Sequence, residues 1–228
     1  MKVLVLSSGG IDSSTCLALA VNKYGKKNVT ALSMFYGQKH DREIEAAEDI
    51  SEYYKVKHIV MDLTSIFSFS DSSLLKSSNK SIPKGSYKTQ QFKEQGKTVS
   101  TYVPFRNGLF LSCVASIALS KDCELIYYGA HSDDAAGNAY PDCSTAFNNA
   151  MNTAIFEGSG QQLQIEAPFI EMNKADVVKT GLALNVPYEL TWSCYEGEKI
   201  PCGICATCID RAKAFMANGV SDPIMTYK

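Results

Sequence analysis

The chain has 228 residues, 45% hydrophobic and 20% charged, which suits one compact globular domain with a small appendage. The formal net charge is -2, from 22 basic and 24 acidic residues. No global basic field exists to hold a polyanion, so stable nucleic-acid binding is not expected. Met1 to Leu6 is too short for a signal peptide, and no run approaches the roughly 20 apolar residues of a membrane span, so a soluble, cytoplasmic protein with no membrane partner is expected.

In chain order, Val3 to Leu6 reads as a buried strand and Asp12 to Tyr24 as a helix with Leu17, Ala18, Ala20 and Val21 on its apolar side. Val29 to Tyr36 is a second strand, Arg42 to Tyr54 a second helix, and Lys57 to Asp62 a third strand. Ser65 to Ser100 breaks this rhythm; rich in Ser, Lys and Gln, it reads either as a lid or ordered excursion over a site, or as a solvated insertion. A helix at Asn107–Ser120, a strand at Leu125–Ala130, a helix at Ser144–Glu157, a strand at Gln164–Ala167 and a helix at Lys174–Leu184 follow. A cysteine-rich tail then leads to a closing helix, Ile209 to Ala217. Alternating strands and helices predict an α/β fold, a Rossmann-like parallel sheet flanked by helices. The expected division is a main α/β domain over 1–190 and a small cysteine-rich region over 191–228.

The first strand-to-helix turn reads Ser7-Ser8-Gly9-Gly10-Ile11-Asp12-Ser13-Ser14. It lies at the carboxyl end of a strand, where open parallel sheets bind ligands. Two glycines let backbone N–H groups approach an anion, and the helix start adds free donors and a positive dipole end. Hydroxyls of Ser8, Ser13 and Ser14 complete a phosphate cradle. The plainer alternative is a capped helix start with Asp12 or Ser13 as N-cap. It leaves the paired glycines and the row of serines unexplained. Ser8 to Ser13 resembles the SGGxDS signature of the PP-loop ATP pyrophosphatases. That resemblance implies cleavage of ATP between its α and β phosphates, transfer of AMP to a substrate oxygen, and a role for Asp12 in organising Mg²⁺ and the loop.

Four of the eight cysteines crowd together: Cys194, then Cys202-Gly203-Ile204-Cys205-Ala206-Thr207-Cys208. Four thiolates can surround Zn²⁺ tetrahedrally at about 2.3 Å, leaving no open position, which predicts a structural site. An iron–sulfur cluster would ordinarily continue to a nearby fourth cysteine followed by proline, which is missing after Cys208. A redox pair does not need four cysteines. Cys16 reads as a small buried hydrophobe, and Cys143 has no partner visible in sequence.

Further segments lie at strand ends and helix starts: Tyr36-Gly37-Gln38-Lys39-His40, Tyr102-Val103-Pro104-Phe105-Arg106-Asn107, Tyr140-Pro141-Asp142-Cys143, and Pro168-Phe169-Ile170 leading to Asn173-Lys174-Ala175. With the cysteine tail, they make nearly the whole chain similar to the 7-cyano-7-deazaguanine synthases of queuosine-precursor biosynthesis. The resemblance implies that 7-carboxy-7-deazaguanine, ammonia and ATP give a nitrile through adenylated acid and amide. It implies Lys174 and Arg106 as charges for the phosphates beside Asp12. It also implies Ser7 to Ser14 and Gln38 at the nucleotide, and Asn107, Tyr140 and Asp142 at the deazaguanine, whose amino edge wants an acceptor. Each segment alone has an ordinary reading: an exposed lysine, a surface ion pair, a capped turn. A homodimer is also implied; ammonia is expected free or from a partner. The alternative is a PP-loop tRNA thiolase or lysine-attaching ligase, but the chain has no basic extension and no spare cysteine pair. His40, His58 and His131 receive no catalytic role. Phe105 stands where the family segment usually has glycine and is expected to narrow or cover the base pocket; 130–139 also departs from the family wording.

Overall fold

The computed structural model describes residues 1–95 and 97–225. Five parallel strands, β1 (Val3–Leu6), β2 (Val29–Phe35), β3 (Lys57–Asp62), β4 (Leu125–Tyr127) and β5 (Gln164–Glu166), form one sheet in the order β3-β2-β1-β4-β5. Val3 pairs with Val29 on one side and Leu125 on the other, so β1 is central. From β1 the chain winds outward through β2 and β3, then returns to lay β4 on the opposite side. The crevice between the carboxyl ends of β1 and β4 is therefore the topological switch point.

The helices are α1 (Ile11–Tyr24), α2 (Arg42–Tyr54), α3 (Thr64–Phe67), α4 (Tyr87–Lys93), α5 (Arg106–Ser120), α6 (Ser132–Ala135), α7 (Thr145–Gly158), α8 (Lys174–Ala183) and α9 (Ala206–Ala217). Side chains of β1 alternate between two cores, because successive residues of a strand point to opposite faces. Val3 and Val5 pack with Leu17 of α1, Val177 and Val178 of α8, and Phe215 of α9. Leu4 packs with Leu32, Phe110, Leu111, Val114 and Ile126 on the other face. Every residue of β1 and β4 except Leu6 is buried, which is why both read as unbroken apolar runs. None of the described helices is long and apolar enough to cross a membrane.

The described residues of the excursion over 65–100 belong to the body. Leu74, Leu75, Ile82 and Val99 are buried in the Leu4 core. Leu75 bridges Gln38, and the Gly85 N–H donates to the Ile204 carbonyl at 2.9 Å. The solvated-insertion reading therefore fails. The tail is similarly tied in: α9 packs on α8, and Arg211, 1% exposed, holds Asp222 through Nε–Oδ2 at 2.7 Å and Nη2–Oδ1 at 3.0 Å. Its Nη1 also donates to Thr191 at 2.7 Å. Helix α9 begins earlier than the periodicity suggested, with Cys205 as N-cap, so Cys208 lies within its first turn.

Candidate active site

The turn after β1 is shaped by packing as much as by any ligand. Gly9 has φ +74°, and a Cβ there would lie 2.4 Å from the Glu43 carbonyl and 2.6 Å from the Ala47 nitrogen of α2. Gly9 thus lets the turn lie on the backbone of α2, a reason the sequence did not reveal. The N-cap of α1 is Gly10, with no side-chain capping bond, so the Asp12 and Ser13 cap alternatives are both corrected. Ser13 Oγ instead accepts the Ser8 N–H at 3.0 Å and braces the turn from inside. Among the described residues, the N–H groups of Ile11, Asp12 and Ser13 meet no protein acceptor. These are the orphan donors of a helix start, and their residues line the crevice. Ser7 and Ser14 carry buried hydroxyls without partners. Gly129, just after β4, allows the other wall to approach: a Cβ there would lie 2.9 Å from the Asp12 carbonyl.

Asp12 turns its carboxylate toward Lys174 at the start of α8, and Asp12 Oδ2 accepts from Lys174 Nζ. His131 completes the cluster from the end of β4. Its Nε2 lies 3.4 Å from Lys174 Nζ, 3.7 Å from Asp12 Oδ2 and 3.4 Å from Asp134 Oδ2. Burial would raise the Asp12 carboxyl, but Lys174 and His131 more than offset it and hold it well below the usual carboxylate range. Burial opposes the charge on Lys174 and on His131, yet both are raised by the carboxylates around them. Asp12 Oδ1 remains buried and unpartnered, as does His131 Nδ1.

These groups line one cavity with Arg106, Gln38, Tyr36, Tyr140 and Trp192. The cavity opens to solvent, and the space within it and its mouth together comes to about 1380 Å³. Arg106 lies over the rings of Tyr36 at 5.3 Å and Phe110 at 5.8 Å, and Nη1 donates to the Tyr36 hydroxyl at 3.2 Å. Gln38 is buried; its Oε1 accepts the Tyr36 N–H at 2.9 Å while Nε2 has no partner. Three tyrosine hydroxyls meet on the roof. Tyr87 of the excursion lies 2.6 Å from Tyr195, and Tyr140 lies 3.4 Å from each.

Not every predicted residue reaches the cavity. Asp142 is 4% exposed and is not part of the lining; its Oδ2 accepts the Asn107 N–H at 2.9 Å. One oxygen of the acceptor expected for an amino edge is thus engaged by the start of α5. Asn107 lines the cavity while its Nδ2 donates to the Asp142 carbonyl at 3.2 Å and to Cys143 Sγ at 3.1 Å. Burial raises the Cys143 thiol well above its ordinary value, so it is no ready nucleophile. Phe105 does not cover the pocket: it is 58% exposed, has φ +53°, and turns its ring to Phe147 at 5.9 Å. Glycine suits that left-handed backbone without strain. Gly9 and Ser14 also stand behind the lining rather than in it.

The ligand atoms of Cys194, Cys202, Cys205 and Cys208 all lie within 4.8 Å of one another, and no disulfide joins them. A tetrahedral Zn²⁺ site needs sulfurs about 3.8 Å apart for bonds of about 2.3 Å, and four gathered thiols fit it. Backbone N–H groups favour the charged thiolates: Cys202 donates to Cys194 Sγ at 3.3 Å and Cys205 to Cys202 Sγ at 3.4 Å. The knuckle touches the excursion, since Lys84 bridges Cys205, and it positions Tyr195 on the roof.

A parallel sheet with a glycine-serine turn at its switch point, free helix-start donors and a lysine–aspartate pair define the class, an α/β nucleotide-binding protein of the PP-loop type. The fold is shared with NMN synthetase from Francisella tularensis, at TM-score 0.52 and 14% identity over 96% of this chain and 78% of that one. The family model for queuosine biosynthesis protein QueC matches residues 2–219. The 7-cyano-7-deazaguanine synthase of Archaeoglobus fulgidus is 42% identical over 99% of this chain and 90% of its own length. That of Caldicellulosiruptor saccharolyticus is 41% identical over 98% and 95%. The chain belongs to the queuosine biosynthesis protein QueC family.

Proposed function

We propose that this protein is an ATP-dependent, carbon–nitrogen bond-forming ligase of the cytoplasm that converts 7-carboxy-7-deazaguanine and ammonia into 7-cyano-7-deazaguanine. The observation that carries the reading is the meeting, at one crevice, of the free N–H groups of Ile11, Asp12 and Ser13 with Lys174, in a chain of this family.

A carboxylate is a poor acyl donor because oxide is a poor leaving group. Its oxygen attacks the α-phosphorus of ATP, the bond to pyrophosphate breaks, and an acyl adenylate forms. The departing pyrophosphate carries growing negative charge, which preorganised donors and cations stabilise. The helix-start N–H groups, the hydroxyls of Ser7 and Ser8, and Lys174 supply that environment, with Arg106 on the opposite wall. Asp12 holds Lys174 in place. Its unpartnered Oδ1 is the atom suited to Mg²⁺ accompanying ATP, which neutralises phosphate charge when bound. Ammonia displaces AMP to give the amide. A second ATP adenylates the amide oxygen, and loss of AMP leaves the nitrile. Gln38, with its free Nε2, reads the nucleotide. Tyr140 and Asn107 line the side left for the deazaguanine. Cys194, Cys202, Cys205 and Cys208 hold a structural Zn²⁺.

Purified protein given ATP, Mg²⁺, ammonium and the carboxy-deazaguanine should yield the nitrile, read by mass, with two AMP per product. AMP release independent of the acid overturns the assignment, and retention of tRNA at moderate salt points to the tRNA-modifying alternative.

A further inference from the structure

Glu43 is a carboxylate of the cavity without a task in the adenylation chemistry. It stands in the first turn of α2, half-buried, and lines the cavity beside Arg106 and Tyr36. Its carbonyl lies against Gly9, so the residue is locked to the phosphate turn. Among the described residues its carboxyl has no hydrogen-bond or ion-pair partner. Arg42 pairs with Glu45 instead, and Arg106 donates to Tyr36. The neighbouring carboxylates are engaged. Asp12 holds Lys174, Asp134 lies against His131, and Asp133 accepts the Lys174 N–H at 2.8 Å. Asp210 has no such bond, but it follows the cysteine cluster and lies under the charge of Lys174.

The ammonia half of the reaction needs a proton acceptor. Ammonia attacking the acyl carbon becomes a positively charged nitrogen. The amide forms only when one N–H bond breaks and the C–O bond to AMP breaks, with AMP leaving on its phosphate oxygen. The second adenylation leaves a C=NH₂⁺ group. Loss of one proton gives a neutral imidate. Breaking the last N–H then turns its electron pair into the third C–N bond as the C–O bond to AMP cleaves. Three protons leave nitrogen in each cycle.

Resting on the nitrile-forming reading above, we propose that Glu43 is the general base of this half of the cycle, taking protons from nitrogen and passing each to water at the cavity mouth. The charged and titratable groups facing it are Arg106 of α5 and Tyr36 at the end of β2. Burial pushes its carboxyl up to about 7 against the pull of Arg106. A base with a pKa near the working pH is the effective one.

The test uses the full chain, Glu43→Gln and Glu43→Asp. Acid-dependent exchange of labelled pyrophosphate into ATP reads adenylation, which needs no base. Nitrile and amide formation with ammonium reads the second half, and hydroxylamine traps the acyl adenylate as a hydroxamate. Glu43→Gln should lose about 100-fold or more in nitrile formation, while exchange and hydroxamate trapping stay within about threefold. The inflection of kcat near pH 7 at saturating ammonia should vanish in Glu43→Gln and return, at reduced rate, in Glu43→Asp. Equal loss of exchange and nitrile formation marks a binding or folding role and overturns the proposal. An unchanged pH profile with retained nitrile formation overturns it too. Absence of acid-dependent exchange in the unaltered protein overturns the reaction itself, and the base assignment with it.

Discussion

Replacing Glu43 with glutamine should stabilise the fold at high pH while it disables the chemistry. In the folded protein burial lifts the Glu43 carboxyl from 4.5 to about 7. As pH rises through 4.5 the unfolded chain releases this proton while the folded chain keeps it, so folding stability falls. The loss is complete once the pH passes the folded value near 7. At 1.36 kcal/mol per pH unit the full difference is about 3 kcal/mol. Water still reaches this half-buried side chain, and screening reduces the cost to about 1–2 kcal/mol. Glutamine keeps the shape and cannot ionise, so it escapes the penalty. Urea unfolding of the parent chain and Glu43→Gln at pH 4.5 and pH 8 checks this. The two curves should nearly coincide at the lower pH, and the variant should gain about 1–2 kcal/mol at the higher. A gap of the same size at both values, or none at pH 8, refutes the argument that a strained ionisation is held here.

Three other outcomes follow from particular contacts. Gly9→Ala places a Cβ against the backbone of α2 at a positive φ, so it should cost several kcal/mol, on the order of 2–4, and abolish ATP binding by equilibrium dialysis. Arg211→Met leaves Asp222 buried and uncompensated and should destabilise by about 3–5 kcal/mol in urea, while adding Asp222→Leu should restore most of it. Chelation should remove one zinc per chain, measured by elemental analysis. It should lower the melting temperature and weaken binding at the roof, because Tyr195 follows Cys194 and meets Tyr87; zinc readdition should reverse both.

Much was legible in the chain because its signals are local. The buried runs at Val3–Leu6 and Leu125–Tyr127, the helix periods between them and the glycine-serine turn sit within a few residues of one another. The crowding of Cys202, Cys205 and Cys208 is equally local. Those features are enough for the parallel α/β fold, and the ordered segments for the family. Element ends were less legible. The strand at β4 closes at Tyr127, since Gly129 must already be leaving to approach Asp12.

What the chain could not announce was which distant groups meet. His131 received no catalytic role from the sequence, yet its position just beyond β4, beside the switch point, places it 3.4 Å from Lys174. Its one sequence signal was that position, followed by Asp133 and Asp134. Glu43 carried no signal within its helix, because its surroundings are supplied by Gly9 and Arg106, far off in sequence. Asp142 seemed a ligand for the base and is held by the start of α5, while Phe105 seemed a lid and faces Phe147. Spacing determined where the glycine-serine turn and the thiol cluster lie, since backbone donors and clustered thiols act through near neighbours. Burial, charge state and which carboxylate stays unpaired depend on what packs from elsewhere, and only the closing of the sheet and its helices decided them.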